Sequence, residues 1–269
     1  MPGASGYQRA SLGGALLLWA VLAQAERVAG VSPPLCPADR IDEQAQVESV
    51  TDGDTLRLSD GRKVRLIGIN TPELAHDGRA AEPLAEEARL HLRRLVEASG
   101  HRIQLRLGEE PRDRYGRLLA HAFQADGDSI EALILREGLA TRVAIPPNVW
   151  GLDCLSHAED EARHAARGLW ARPGYRTPIS TRDLPDEVQG FILLQGRVER
   201  VGGSRHAQWI NLEGGVALKI EHDQLPLFRE LDIHQLVGHR IEARGWLTRP
   251  GGRDPRIRLT HPSMLRILD

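Results

Sequence analysis

Lysine is nearly absent from this 269-residue chain: only Lys63 and Lys219 occur among 35 basic residues, and the others are arginines. Positive charge is not in surplus either, because 37 acidic residues bring the formal net charge to −2. With no global field to draw in a polyanion, nucleic acid can be held only by a local arginine patch. This argues against a tight, sequence-specific DNA reader. Long apolar runs are also missing. The run at residues 12–22 is about half the length a membrane-spanning helix needs, and no later segment reads as transmembrane. Walker and dinucleotide glycine patterns are absent, as is zinc-ligand spacing. The eleven histidines follow no metal-ligand pattern, and His157 and His164, with Glu161, fall on a helix face read as solvated.

Cysteine is limited to Cys36 and Cys154. Residues 1–25 read as an export signal, with Arg9 in a short polar lead, the apolar run, and a small-residue site at Ala23, Gln24 and Ala25. A retained membrane anchor is the competing reading. Signal removal would give a periplasmic or secreted chain without stable membrane association. In such a compartment an even pair of cysteines favours a Cys36–Cys154 disulfide over two free thiols.

The expected fold class is mainly β with helices (α+β). Residues 26–43 read as an extended arm. Alternating apolar positions mark strands at 47–50, 55–58 and 63–69, with turns at Asp52-Gly53 and Asp60-Gly61 where a positive φ is cheap. A helix is expected over 82–99, with Pro83 at its first position and Gly100 at its stop. Strands follow at 102–107 and 118–124, then a helix over 129–137 with Ser129 as N-cap, and a last helix over 154–167 before Trp170, an expected anchor. The order β-β-β-α-β-β is that of an OB-type barrel, placing a first domain at 44–172. Residues 173–186, with three prolines, read as a linker. Residues 187–269 repeat the order on a smaller scale: strands at 191–201, 207–212, 216–220, 241–248 and 257–259, and helical spacing at 222–231. A second, smaller OB-like barrel is expected there. Its arginines, including Arg197, Arg200, Arg205, Arg244, Arg249, Arg253, Arg256 and Arg258, could track a phosphate backbone. Glu199, Glu213, Glu221 and Glu242 dilute that field, and a scaffold or protein-contact role is the other reading. No protein partner is identifiable.

Three fragments carry chemistry: Asp52-Gly53-Asp54-Thr55, then Arg65-Leu66-Ile67-Gly68-Ile69-Asn70-Thr71-Pro72-Glu73, then Arg114-Tyr115-Gly116-Arg117. They supply hard oxygen donors for a divalent cation, a carboxylate to activate water, and guanidiniums to grip a phosphoryl group, which is what phosphodiester hydrolysis needs. Taken singly, each fragment is a turn, a loop or a chance tripeptide. In this order and spacing they resemble the thermonuclease family, the staphylococcal nuclease-like proteins, over about residues 44–171.

The resemblance implies an OB-fold nuclease that binds one Ca2+ ion and cleaves DNA and RNA, leaving 3′-phosphates. It implies that Asp54, Asn70 and the main-chain carbonyl of Thr71 ligate calcium, with Asp52 just outside. Glu73 would position or deprotonate the attacking water, Arg65 and Arg117 would grip the phosphate, and Arg114 and Tyr115 would contact the nucleotide's sugar and terminal phosphate. Two departures stand out. Asn70 occupies a position where the best-known members have aspartate, so calcium should bind more weakly. The loop after Glu73 is short, and residues 142–147 lack the tyrosines the family often places beside the base. The alternative from another functional class is a noncatalytic nucleic-acid-binding module with a decayed site; Asn70 speaks for it, and Arg65, Glu73 and Arg117 together speak against it.

Overall fold

Alternation of apolar and polar residues builds the first barrel. β1 (Glu43–Val50), β2 (Thr55–Leu58) and β3 (Lys63–Leu66) form an antiparallel meander in which Leu56, Leu58, Val64 and Leu66 turn inward while Arg57 and Lys63 stay exposed. The strand expected over 63–69 is split. Gly68 takes φ 84° and Leu155 crowds it, so Ile69–Asn70 leave the barrel as β4. Helix α1 (Ala85–Ala98) buries Ala85, Ala88, Leu92 and Val96 at helical spacing. It begins later than expected and excludes Pro83, because Leu84 at its N-cap is left-handed, with φ 71°. β5 (Arg102–Arg112) and β6 (Leu118–Phe123) close a barrel in the order β1-β2-β3-β6-β5, with β3 and β6 parallel. Helix α2 (Ile130–Arg136) is capped by Ser129, whose hydroxyl accepts from the Ala132 amide at 3.2 Å. β7 (Thr141–Arg142) pairs with β4, and α3 (Leu152–His164) packs on α2.

This computed structural model describes residues 33–269 apart from 77 and 253, so the expected export signal at 1–25 lies outside the described residues. Residues Pro34–Asp269 form one compact unit. The Cys36–Cys154 disulfide is present, bridging 118 residues. The described end of the expected arm is packed rather than loose. Asp128 Oδ1 accepts from the Leu35 amide at 2.5 Å, the Ser129 amide donates to the Leu35 carbonyl at 2.9 Å, and Arg106 pairs with Asp39 at 2.6 Å. Among the described residues no helix is long and apolar enough to cross a membrane.

The second barrel uses β8 (Ile179–Ser180), β9 (Gly190–Gly203), β10 (Ala207–Leu212), β11 (Ala217–Glu221), β12 (Arg240–Thr248), β13 (Arg256–Arg258) and β14 (Leu265–Ile267). The sheet order is β14-β12-β13-β11-β10-β9-β8, and β12 also pairs with β9, which closes five strands. Within the expected linker, β8 pairs parallel with β9, so this stretch belongs to the second sheet. The helical spacing at 222–231 yields only a 3-10 turn at Leu225–Phe228, where Pro226 removes an amide donor.

The barrels meet through charged groups withdrawn from water. Arg244 of β12 lies 2.7 Å from Glu159 of α3, Arg163 of α3 donates to Glu242 at 2.9 Å, and Arg142 donates to the hydroxyl and carbonyl of Ser263, both at 2.9 Å. Burial alone would raise the Glu242 carboxyl, but Arg163 and Arg244 hold it below its ordinary range. Trp170 is buried with Ala162 and Leu193, anchoring α3 to β9.

Inside the first barrel, Glu131 is fully buried and accepts from the Ala122 amide and the Ser129 hydroxyl, both at 2.9 Å. Burial outweighs these bonds and pushes its carboxyl up to about 8. His121, 3.7 Å away, is pushed down to about 3 by burial with help from Arg106, so it gives no counter-charge. Between the ordinary value of 4.5 and about 8 the folded state therefore holds a proton at Glu131 that the unfolded state releases, and stability falls as pH rises. His121 acts with the opposite sign only below its ordinary 6.5. The melting temperature should thus fall from pH 6.5 to 8, and Glu131→Gln should flatten that decline; thermal melts across this range check it, and an equal decline in the variant would contradict it.

Candidate active site

The turn before β2 sets the first half of the site. Asp52 Oδ1 accepts from the Asp54 amide at 3.0 Å, closing an Asx turn. The expected reason for Gly53, a positive φ, does not apply. A Cβ there would meet Cβ of Ala88 and both Cβ and Oγ1 of Thr71 at 2.8 Å, so glycine is required by close approach. This contact delivers Asp54 to Thr71, whose amide and hydroxyl donate to Oδ2 at 3.1 and 3.0 Å. Arg65 Nη2 lies 2.9 Å from the same oxygen, and its guanidinium also donates to the carbonyls of Leu66 and Ile69. Burial raises the Asp54 carboxyl to about 6; the Arg65 charge opposes this rise and the Asp52 charge adds to it.

The segment leaving β3 carries the next residues. Asn70, half-buried in β4, accepts at its carbonyl from Thr141 Oγ1 at 3.3 Å. Glu73 is exposed, and its backbone is clamped by Glu82, whose carboxylate accepts from the Glu73 amide at 3.1 Å and whose amide donates to the Glu73 carbonyl at 2.8 Å.

The β5–β6 turn makes the second half. Asp113 accepts from the amides of Tyr115 and Arg117 at 2.9 Å and from Arg117 Nε at 2.7 Å. Partial burial would raise its carboxyl, yet these donors hold it below the usual range. Arg114 donates to the Tyr115 hydroxyl at 2.6 Å and stacks 4.7 Å from the ring centroid, and Tyr115 is 68% exposed. Arg117 directly precedes β6, two residues before Leu119, the strand partner of Arg65.

Asp54, Arg65 and Thr71 are therefore in direct contact. Arg114, Tyr115 and Arg117 form a second group, joined to the first through β3–β6 pairing. Sequence reasoning missed Asp113 and Glu82. Asp113 stands four residues before Arg117 and carries an Asx-turn signal, whereas nothing local marks Glu82 as the clamp on Glu73. Among the described residues, no group of three His, Cys, Asp or Glu converges to hold a metal. The buried Asp54 carboxylate, the Asn70 amide oxygen and the Thr71 carbonyl are still hard donors of the kind calcium accepts, with a single formal charge among them. That donor chemistry fits a weakly held calcium ion.

The family described as staphylococcal nuclease homologue matches residues 63–172, which include Arg65, Glu73 and Arg117 and begin after Asp54. The thermonuclease of Staphylococcus intermedius is 32% identical over 129 residues, covering 47% of this chain and 75% of that protein. Endonuclease YncB of Bacillus subtilis (strain 168) is 34% identical over 136 residues, covering 49% of this chain and 63% of that protein. The SPbeta prophage-derived endonuclease YokF of the same bacterium is 33% identical over 136 residues, 49% of this chain and 45% of that protein. The chain thus spans less than two thirds of either Bacillus protein.

Gly53→Ala tests the contact that assembles the site. The added methyl should push the turn off Thr71 and Ala88 and lower stability by about 1–3 kcal/mol, the usual cost of overpacking. Denaturant unfolding checks this, and an unchanged midpoint would show that the turn relaxes freely.

Proposed function

Because this chain belongs to the staphylococcal nuclease-like, or thermonuclease, family, we propose that it is an exported nuclease that hydrolyses phosphodiester bonds of DNA, RNA or both, leaving 3′-phosphates. One observation carries the reading: Arg65 on β3 and Arg117, two residues before Arg65's strand partner Leu119, are each held by a carboxylate, Arg65 by Asp54 and Arg117 by Asp113. A phosphodiester can exchange for those carboxylates with its non-bridging oxygens. The planar guanidiniums then meet the charge that grows as water attacks phosphorus. The exposed Glu73 carboxylate orients that water and takes its proton while the bond from phosphorus to O5′ breaks and O5′ leaves as a hydroxyl protonated from solvent, and the backbone clamp from Glu82 fixes where Glu73 sits. Asp54, Asn70 and the Thr71 carbonyl would hold calcium, which when bound polarises a phosphate oxygen. Tyr115, exposed beside Arg114, offers a ring and a donor to the nucleotide.

Export is supported by the pattern of residues 1–25 and by the Cys36–Cys154 bridge, a bond that persists in oxidising compartments. The competing reading, a binding module with a decayed site, rests on Asn70. Purified protein incubated with single-stranded DNA and RNA, in calcium or chelator and with Glu73→Ala as control, separates the two.

Glu73→Ala, Arg117→Ala and Arg65→Ala should each lower turnover by at least ~100-fold. Arg65→Ala should also lose stability, since it leaves buried Asp54 without its counter-charge. Unchanged turnover in any two of these would remove the assignment. Asn70→Asp should tighten calcium binding, because ligand charge tunes affinity. Calorimetric titration reads this directly, and no gain, or full activity in chelator, would count against calcium at this site.

A further inference from the structure

The second barrel turns one outer face to the first barrel and leaves another open. Glu242 and Arg244 on β12 and Leu193 on β9 are covered by α3 and Trp170. On the far side, strand register sets two adjacent rows. One runs Arg200, Asn211, Ala217, Arg256 across β9, β10, β11 and β13; the other runs Gly202, Trp209, Lys219, Arg258. All eight positions are partly or fully exposed.

Charge on this face differs from that of the whole chain. Four cations stand in the rows, and of the barrel's acids Glu242 faces the first barrel while Glu213 pairs with Arg182 at 2.8 Å. Glu199 sits at a bulge of β9, and Glu221, at the end of β11, pairs with Lys219 at 2.8 Å and Arg258 at 2.7 Å. Exposed pairs of this kind contribute little and exchange readily for phosphate. Trp209 is held in place, its indole N–H donating to Ser204 Oγ at 3.1 Å and Lys219 Nζ lying 5.9 Å from the ring. Its strand partner Gly202 borders open space, since a Cβ there would meet nothing within 4 Å.

A fixed ring beside open space, flanked by cations, matches the chemistry of single-strand binding, where bases stack and phosphates meet cationic side chains. β10 and β11 are the second and third strands of this barrel, the face on which OB folds carry oligonucleotides. We propose that this face binds single-stranded nucleic acid, with Trp209 stacking a base and Arg200, Arg256 and Arg258 taking phosphates. The site requires binding and not cleavage, so it stands or falls separately from the nuclease reading.

The test is fluorescence anisotropy of the full chain with a labelled oligothymidylate of about 15 nucleotides, a length within what one OB barrel covers. The titrations are run in chelator over a range of salt, with probe integrity checked on gels. Arg256→Gln/Arg258→Gln should weaken binding at least about tenfold and flatten the logarithmic salt slope by about 1.4, two phosphates' worth for a single strand. Trp209→Ala should weaken binding about tenfold with less change in slope, and Trp209→Phe, which keeps a ring and guards against misfolding, should recover most of the loss. Arg94→Gln/Arg229→Gln removes the same charge from exposed positions elsewhere and should leave affinity within about twofold. Unchanged affinity in both the Arg256/Arg258 and Trp209→Ala arms, or an equal loss in the Arg94/Arg229 control, would overturn the proposal.

Discussion

The candidate site depends on one buried carboxylate. Asp54 joins the β1–β2 turn to the segment leaving β3 through Thr71, and to β3 itself through Arg65. Any of the three alone would leave a charge or an amide unsatisfied in the barrel wall, which is costly away from water. Gly53 makes the arrangement possible by letting α1 and Thr71 approach the turn backbone. The contacts that pack α1 and Thr71 against the turn are thus also the contacts that bring Asp54 to Thr71 and, through it, to Arg65.

A second set of buried charges ties the barrels together, and it bears on how substrate could be recognised. Residues 142–144, where the resemblance leads one to look for tyrosines, are occupied structurally. Arg142 is bonded to Ser263, and the Ala144 carbonyl accepts from Thr260 at 2.8 Å. A segment committed to the neighbouring barrel has less freedom to carry rings for a base. Tyr115, Arg114 and the open face of the second barrel are then the exposed aromatic and cationic groups best placed to supply nucleotide contacts. The Arg244–Glu159 and Arg163–Glu242 pairs hold that second barrel in one orientation, and the loss of one partner would strand a buried charge.

Much of the fold was legible because period-two burial is local. β2 and β10 run over the expected residues, and Ser129 caps α2 as its position before an apolar stripe implied. What escaped reading depended on contacts distant in sequence. Ile67 and Ile69 continue an apolar run, and only Leu155, on a helix far along the chain, shows why Gly68 turns the backbone out. Leu84 is an ordinary helix former whose left-handed cap follows from how the preceding loop returns to Glu73. Arg244, expected among the arginines that could track a phosphate backbone, is instead buried against Glu159, and nothing local marks Arg142 or Arg163 for their contacts with Ser263 and Glu242. For the site, the three fragments were recognisable by order and spacing, but the carboxylate that steers Arg117 and the one that clamps Glu73 were not, since their partners are ordinary acids in turns.

For a chain with net charge −2 to handle a polyanion, as proposed, its charges must be separated in space. Here the separation works by pairing. Acids beside the site arginines sit in exchangeable partnership with them, as the buried Asp54 and the half-buried Asp113 do, while Glu159 and Glu242 are turned into the contact between barrels. Pairing keeps each guanidinium oriented before substrate arrives and lowers the reorganisation needed when phosphate oxygens replace carboxylate oxygens. It also makes electrostatic attraction short-ranged, so capture depends on where the chain is gripped and not on the field of the whole molecule. Two separated cationic patches, one on each barrel, suit an extended single strand better than a compact anion, because only a strand can engage both.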